Sequence, residues 1–356
     1  MKFLIEITHP AHVHFFRNPI EWLAESGHQV KVTSRDKDCT LVLLDELDIP
    51  HQCLSVHSGG GSLAMARELL LRNRALANVV REFLPDVMAG VGGTSAAQVG
   101  WYLGCPTVVF YNTERAHIQN FLTYPFADRI IVPDAYRGWV PKRKGCRYLG
   151  YHELARLHPS RFQPDVSVAI ANGLDPEGDT FLIRVVSWNA SHDIGLKGWS
   201  IDTLKRVVGI LRQHGRVLIS AEEKLPEELE ELAYAGSPDA LHHVMGHCRL
   251  VVGESATMAS EAVVMGVPAV YAAPSFRGYI EQQQERFGLA WHVDRPNPDS
   301  ISSAILNALE TDPRELERRH QRLLEECVDV ARMAYDELLY AAGAWGSGTD
   351  STARKG

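Results

Sequence analysis

Residues 251–270, VVGESATMASEAVVMGVPAV, read as one supersecondary unit. An apolar run that stops at Gly253 predicts a buried strand. Ser255 then stands where a helix N-cap belongs, the following residues are small or apolar at helical spacing, and Gly-x-Pro ends the helix before the next strand. Strand, tight turn, helix and strand in that order make a βαβ unit with parallel strands. The helix start would leave the backbone N–H groups of Ala256, Thr257 and Met258 pointing outward, and that partly positive end suits an anion such as a diphosphate. Glu261 lies about a turn and a half further on, where a carboxylate can accept hydrogen bonds from ribose hydroxyls. The plainer alternative is a Ser255 that only caps and a Glu261 that faces solvent.

The same alternation extends in both directions. Upstream, residues 181–189 and 216–222 predict strands, with an amphipathic helix over 203–215 between them. Downstream, the closing strand runs on over 268–274 and residues 289–295 predict one more, before a long helix or helix pair over 312–343. The first half repeats the theme with strands at 3–7, 29–35, 86–93, 106–112 and 127–133 and a long helix at 62–84. Its strands are near-continuous apolar runs, as sheets covered on both faces require. Between about 141 and 180 the period is lost among Pro, Gly, Arg and Asp. The expected organisation is α/β: two doubly wound Rossmann-like domains, 1–165 and 166–340, facing a central cleft, with 341–356 a disordered tail.

Composition narrows the function classes. The chain has 356 residues, 45% hydrophobic and 22% charged, with a net charge of −8. That balance argues against a general nucleic-acid binder, which would carry a basic face. None of the six cysteines forms a C-x-x-C pair, so they are expected to be mostly buried thiols in a reducing cytosol. The start is a strand rather than a signal peptide, and no apolar run reaches the roughly 18 residues of a membrane span. The expected location is cytoplasmic, with peripheral attachment at the inner face of the membrane left open, as is a homodimer.

In such sheets ligands sit beyond the carboxyl ends of the strands, so the residues just after each strand are the candidates. After the third strand, VGGTSAAQVG (91–100) offers Gly92, Gly93 and Thr94 for close approach of a ligand, or a plain turn. FYNTERAHIQNF (110–121) brings Glu114, Arg115 and His117. A desolvated Glu114 can serve as acid or base, and a first-turn glutamate also suits a helix start without any chemistry. SWNASHDIG (187–195) brings Trp188 and Asn189, with Lys197 beyond, for a base and a phosphate. Arg277, Tyr279 and Glu281 could line a sugar pocket, whereas the run EQQQER reads as a solvated helix face. Near the start, His9, His12 and His14 lack H-E-x-x-H spacing and an acidic partner, so no metal is expected. Each is otherwise a satisfied structural histidine, although a neutral imidazole can take a proton near neutral pH.

The motif at 254–270 resembles the nucleotide-sugar site of GT-B proteins, among them the non-hydrolysing UDP-N-acetylglucosamine 2-epimerases and the glycosyltransferase that makes lipid II. EITHPAHVHFF (6–16) together with SWNASHDIG more closely resembles a prokaryotic GT-B-like family of about 350 residues with no assigned function. The resemblance implies that the Gly253–Met258 turn meets a diphosphate and Glu261 a ribose. It also implies that Glu114 matches an epimerase active-site glutamate and that Thr8-His9-Pro10 stands where the epimerases have Thr-Arg-Pro. Because the lipid II enzyme carries a histidine near the acceptor side in its first loop, it implies that His12 first, and His9 second, is a general base or sugar contact. In the epimerases an acidic catalytic residue occupies the place of Gly93, and the 187–193 loop does not match theirs. Both departures weaken an epimerase reading. The leading expectation is a cofactor-free, metal-independent glycosyltransferase taking a nucleoside-diphosphate sugar, UDP favoured, and a sugar or lipid-linked acceptor in surface glycan or glycolipid synthesis. A 2-epimerase and a non-catalytic nucleotide-sugar binder are the alternatives.

Overall fold

A computed structural model of the protein describes residues 1–57, 61–114, 116–186 and 198–346. It divides into two compact units, residues 1–156 with 328 onward, and residues 157–327. The first contains β1 Lys2–Ile7, α1 Pro10–Glu25, β2 Gln29–Asp36, α2 Thr40–Glu46, β3 His51–Val56, α3 Ser62–Phe83, β4 Val87–Val91, α4 Thr94–Leu103, β5 Thr107–Phe110, α5 His117–Thr123, β6 Arg129–Pro133, β7 Gly145–Tyr148 and the short α6 Leu154–Leu157 at its boundary. Its seven-stranded sheet runs β3-β2-β1-β4-β5-β6-β7, and every pairing is parallel. The centre is β1: Phe3, Leu4, Ile5 and Ile7 have no exposed surface, as a strand covered on both faces demands. The strand order reverses between β1 and β4, and such a switch point leaves a crevice for ligands at the carboxyl edge.

The second unit contains α7 Val166–Ala171, β8 Thr180–Val185, α8 Ile201–Leu211, β9 Arg216–Ala221, α9 Leu241–Met245, β10 Leu250–Gly253, α10 Ala256–Val264, β11 Ala269–Tyr271, α11 Gly278–Gln282, β12 Ala290–His292, α12 Pro298–Glu310 and α13 Pro313–Glu326. Five parallel strands run β12-β11-β10-β8-β9, so here the switch point lies between β8 and β10. Ser200 starts α8 by accepting the Thr203 N–H at 3.1 Å. The helix then buries Leu204, Val207, Val208 and Leu211 at i, i+3, i+4 and i+7, against Phe181, Ile183, Val217 and Ile219 of the sheet.

The last helix, α14 Val330–Gly346, returns to the first unit. It packs on α1, β4 and β5, and Arg129 of β6 holds Glu337 with two hydrogen bonds of 2.6 and 2.8 Å. The Val328 N–H donates to the Leu149 carbonyl at 2.8 Å where the chain re-enters. The sequence reading instead assigned everything to residue 340 to the second domain. It left residues 312–343 as one long helix or a helix pair within that domain; residues 327–329 separate α13 from α14. The expected tail is helical as far as residue 346, and residues 347–356 lie outside the described residues. All six cysteines are free; Cys105 and Cys248 are buried, but Cys39 and Cys53 are exposed, which corrects the expectation of mostly buried thiols. No described helix is long and apolar enough to cross a membrane.

Candidate functional site

In the second unit the switch point is built around Gly253. A Cβ there would lie 2.1 Å from the Arg184 carbonyl oxygen of β8, so the close approach of the two strands requires glycine. Ser255 caps α10 as expected, its Oγ accepting the Met258 N–H at 3.3 Å. Met258 is thereby spent, whereas the Ala256 and Thr257 N–H groups have no hydrogen-bond partner among the described residues. Glu261 is half-buried on the second turn with its Oε2 3.3 Å from His242 Nε2. That carboxylate therefore faces an imidazole of α9. Arg277 begins α11 and turns its Nη1 onto the Phe276 carbonyl at 3.2 Å. Arg184 of β8 donates to Ser220 Oγ at 2.9 Å and Glu222 Oε1 at 2.7 Å. Trp188, Asn189 and Lys197 lie outside the described residues, as does Arg115.

Two residues of this unit escaped the sequence reading. Glu254 turns its carboxylate back under the turn, where Oε1 accepts the Trp199 N–H at 2.7 Å and Oε2 the Val186 N–H at 3.4 Å. One side chain thus ties together the chain entering and leaving the polar loop after β8. Burial pushes its carboxyl pKa up, against the two amide hydrogen bonds. Gln283 corrects the solvated-face reading of EQQQER: it has no exposed surface and donates to Ser260 Oγ behind α10 at 2.8 Å. Buried amides hold such places only when hydrogen-bonded.

In the first unit the loop after β1 carries the histidines. His9 caps α1, its Nδ1 accepting the Ala11 N–H at 3.2 Å, and its ring centre lies 5.7 Å from that of His12. His12 Nδ1 accepts the Thr8 N–H at 3.3 Å. In the neutral ring that assigns the proton to Nε2. Burial, then the neighbouring His9, His152 and Lys37, lowers the His12 pKa to about 3. Burial likewise lowers that of His9. A neutral imidazole with its free nitrogen protonated donates a hydrogen bond and is a poor proton acceptor, which argues against His12 as a general base. His14 lies inside α1, with Nε2 3.4 Å from Arg156 Nη1.

The Gly92–Gly93 turn is less open than expected. Gly93 adopts φ 33°, and a Cβ there would meet Val109 Cγ1 at 2.9 Å; glycine is required by the fold alone. Gly92 is buried, and Thr94 Oγ1 pairs with Thr123 Oγ1 at 2.9 Å. At the start of α4 the Ala96 N–H donates to Glu6 Oε2 at 3.1 Å, so an internal carboxylate already faces the positive helix end. Glu6, 3% exposed, belongs to a buried network. Arg72 Nε is 3.5 Å from Glu6 and its Nη1 3.1 Å from Glu68. Arg35 grips Glu68 with two bonds of 2.6 Å. Two cations and two carboxylates balance there. Glu114 and His117 do come together, lining a hollow of about 750 Å³ with Phe121, Tyr124 and Trp139.

Two parallel sheets in separate α/β units, each with its switch point, define a GT-B-like protein with Rossmann-like domains. The chain belongs to the family described as "Protein of unknown function (DUF354)", whose model matches residues 1–289. An uncharacterized protein of Methanocaldococcus jannaschii is 24% identical over 285 residues, 76% of this chain and 81% of that one. Among solved structures, the UDP-GlcNAc 2-epimerase from Neisseria meningitidis bound to UDP-GlcNAc superposes with a TM-score of 0.69 at 12% identity, covering 97% of this chain and 100% of that one. The spinosyn rhamnosyltransferase SpnG complexed with thymidine diphosphate gives 0.64 at 12% identity over 95% and 100%.

Proposed function

We propose that the protein is a GT-B-type glycosyltransferase that takes a nucleoside-diphosphate sugar, UDP-linked in preference, and needs no metal. The observation that carries the reading is the turn at the second switch point. Gly253 brings β10 against β8, Ser255 fixes the start of α10, and the Ala256 and Thr257 N–H groups remain for a diphosphate. Glu261 takes the ribose, and Arg277 with the 187–197 loop, including Trp188, Asn189 and Lys197, completes the donor side. Structural neighbours solved with UDP-GlcNAc or thymidine diphosphate support that class of ligand.

The acceptor, a sugar or lipid-linked hydroxyl, is assigned to the first unit, with work at the inner face of the membrane. Glu114 removes the acceptor proton, and His9, His117 and the Nε2–H of His12 orient the sugar. Attack at the anomeric carbon breaks its bond to the diphosphate, whose charge the α10 start stabilises. Epimerisation is the second reading, and Gly93 in place of an acidic residue disfavours it. A non-catalytic binder is the third.

The test begins with thermal shift against nucleoside diphosphates. At a ligand concentration 100 times Kd the protein should gain about 2.7 kcal/mol. Failure of every uridine, cytidine, thymidine, guanosine and adenosine diphosphate to raise the melting temperature sinks all three readings. With binding in hand, nucleotide released only with an acceptor supports transfer, and solvent exchange of the sugar C2 proton supports epimerisation. Glu114→Gln should lower the transfer rate by about 10²–10⁴-fold, the usual worth of a general base.

A further inference from the structure

We propose that the face formed by α5 and the β6–β7 connection of the first unit is a docking surface for an anionic lipid bilayer. The segment 137–144, RGWVPKRK, holds four cations and no acid in a chain whose net charge is −8. Lys144 is used internally, its Nζ donating to the Pro125 carbonyl at 2.9 Å, but Arg137, Lys142 and Arg143 are exposed. Beside them Ile118, Phe121 and Trp139 show 79%, 77% and 73% of their surface to solvent. Single exposed apolar groups are ordinary; Phe121 and Trp139 line one hollow, and Ile118 stands one turn before Phe121 on α5. Trp139 lies 6.1 Å from the Tyr124 ring, and Phe121, Trp139, Lys142 and Arg143 rim the same 750 Å³ hollow.

An aromatic residue at the rim of an apolar hollow, with lysine and arginine outside it, matches the depth profile of a membrane interface. Rings settle at headgroup level, aliphatic groups below, and cations against phosphate. A neutral protein partner would satisfy the apolar groups and leave three cations uncompensated; an anionic bilayer satisfies both. Glu114 is the one carboxylate in the hollow's lining among the described residues, and it sits at the candidate acceptor side. The inference rests on the membrane placement in the reading above and gives it a surface; it does not depend on the chemistry of transfer.

The full chain should sediment with vesicles containing one quarter phosphatidylglycerol and not with pure phosphatidylcholine, and 0.5 M salt should release it. Lys142→Gln with Arg143→Gln should weaken vesicle binding about 30-fold, two cations near a charged surface at the usual worth of each. Trp139→Ser, or Phe121→Ser should the first variant not fold, should weaken it even at low salt, where the parent binds best. Thermal shift with nucleoside diphosphate should be unchanged in all of them, so loss of lipid binding and loss of nucleotide binding are separate results. Equal binding of parent and variants, no preference for the anionic vesicles, or a dimer in solution that Trp139→Ser dissolves without any vesicle binding would each overturn the proposal.

Discussion

The neutral state of His12 has a thermodynamic signature. Its folded pKa of about 3, and the similar value that burial gives His152, lie below the ordinary 6.5. The unfolded chain therefore binds more protons in between. The stability these residues contribute is complete above pH 6.5 and is lost as the pH falls towards 3. By pH 5 each should have cost roughly 2 kcal/mol. Urea midpoints measured from pH 7.5 to 4.5 should fall more steeply in the parent than in a His12→Gln, His152→Gln double variant, and parallel slopes would contradict the assignment. The same geometry bears on the reaction. A Gln at position 12 keeps a donor, so His12→Gln should retain more transfer activity than His12→Ala, and neither should remove a limb near pH 6.5 from the rate profile.

Among the elements, α4 and α10 look alike in sequence and differ in what faces them. Glycine precedes both, and a hydroxyl residue and small side chains mark both starts. Yet α4 receives Glu6 at its start, while no described carboxylate bonds the first N–H groups of α10. Removing Glu6 leaves Arg35 and Arg72 to share Glu68, one carboxylate for two buried cations, so Glu6→Ala should lower the unfolding free energy by about 3–5 kcal/mol in a denaturant titration. The turn at 253–258 was legible because its signals are local: a strand end, an N-cap, a Gly-x-Pro stop. Glu6 and Glu254 were not, because their partners lie 90 and 55 residues away; a lone charge inside FLIEI was the one hint that something must meet it. Strands β3 and β7 were missed for a related reason. As the sheet's outer strands they are only partly buried, and their residues lack the apolar run by which the central strands are recognised. Gln283 was misread because a run of polar residues carries no mark of the single one that turns inward.

At the scale of the molecule, the covalent path matters as much as the sheets. The first unit is completed by α14, whose Val330, Ala331, Ala334 and Leu338 are fully buried. Leu338→Ala should cost about 2–5 kcal/mol. A chain ending at Cys327 should lose hydrogen-exchange protection in β1 and β4 while β8 and β10 keep theirs; uniform loss would mean that the two units unfold together. Most of this architecture followed from the alternation of apolar runs and helical periods, whereas the return of the last helix did not, since periodicity records that a helix is amphipathic and not which sheet it will cover. That return also sets an order of events at the ribosome. The whole of the second unit is synthesised before α14 exists, a wait on the order of 10–30 s at ordinary elongation speed. During that interval the nascent amino-terminal half stands with an apolar flank bare, which makes it the portion a chaperone would be recruited to shield.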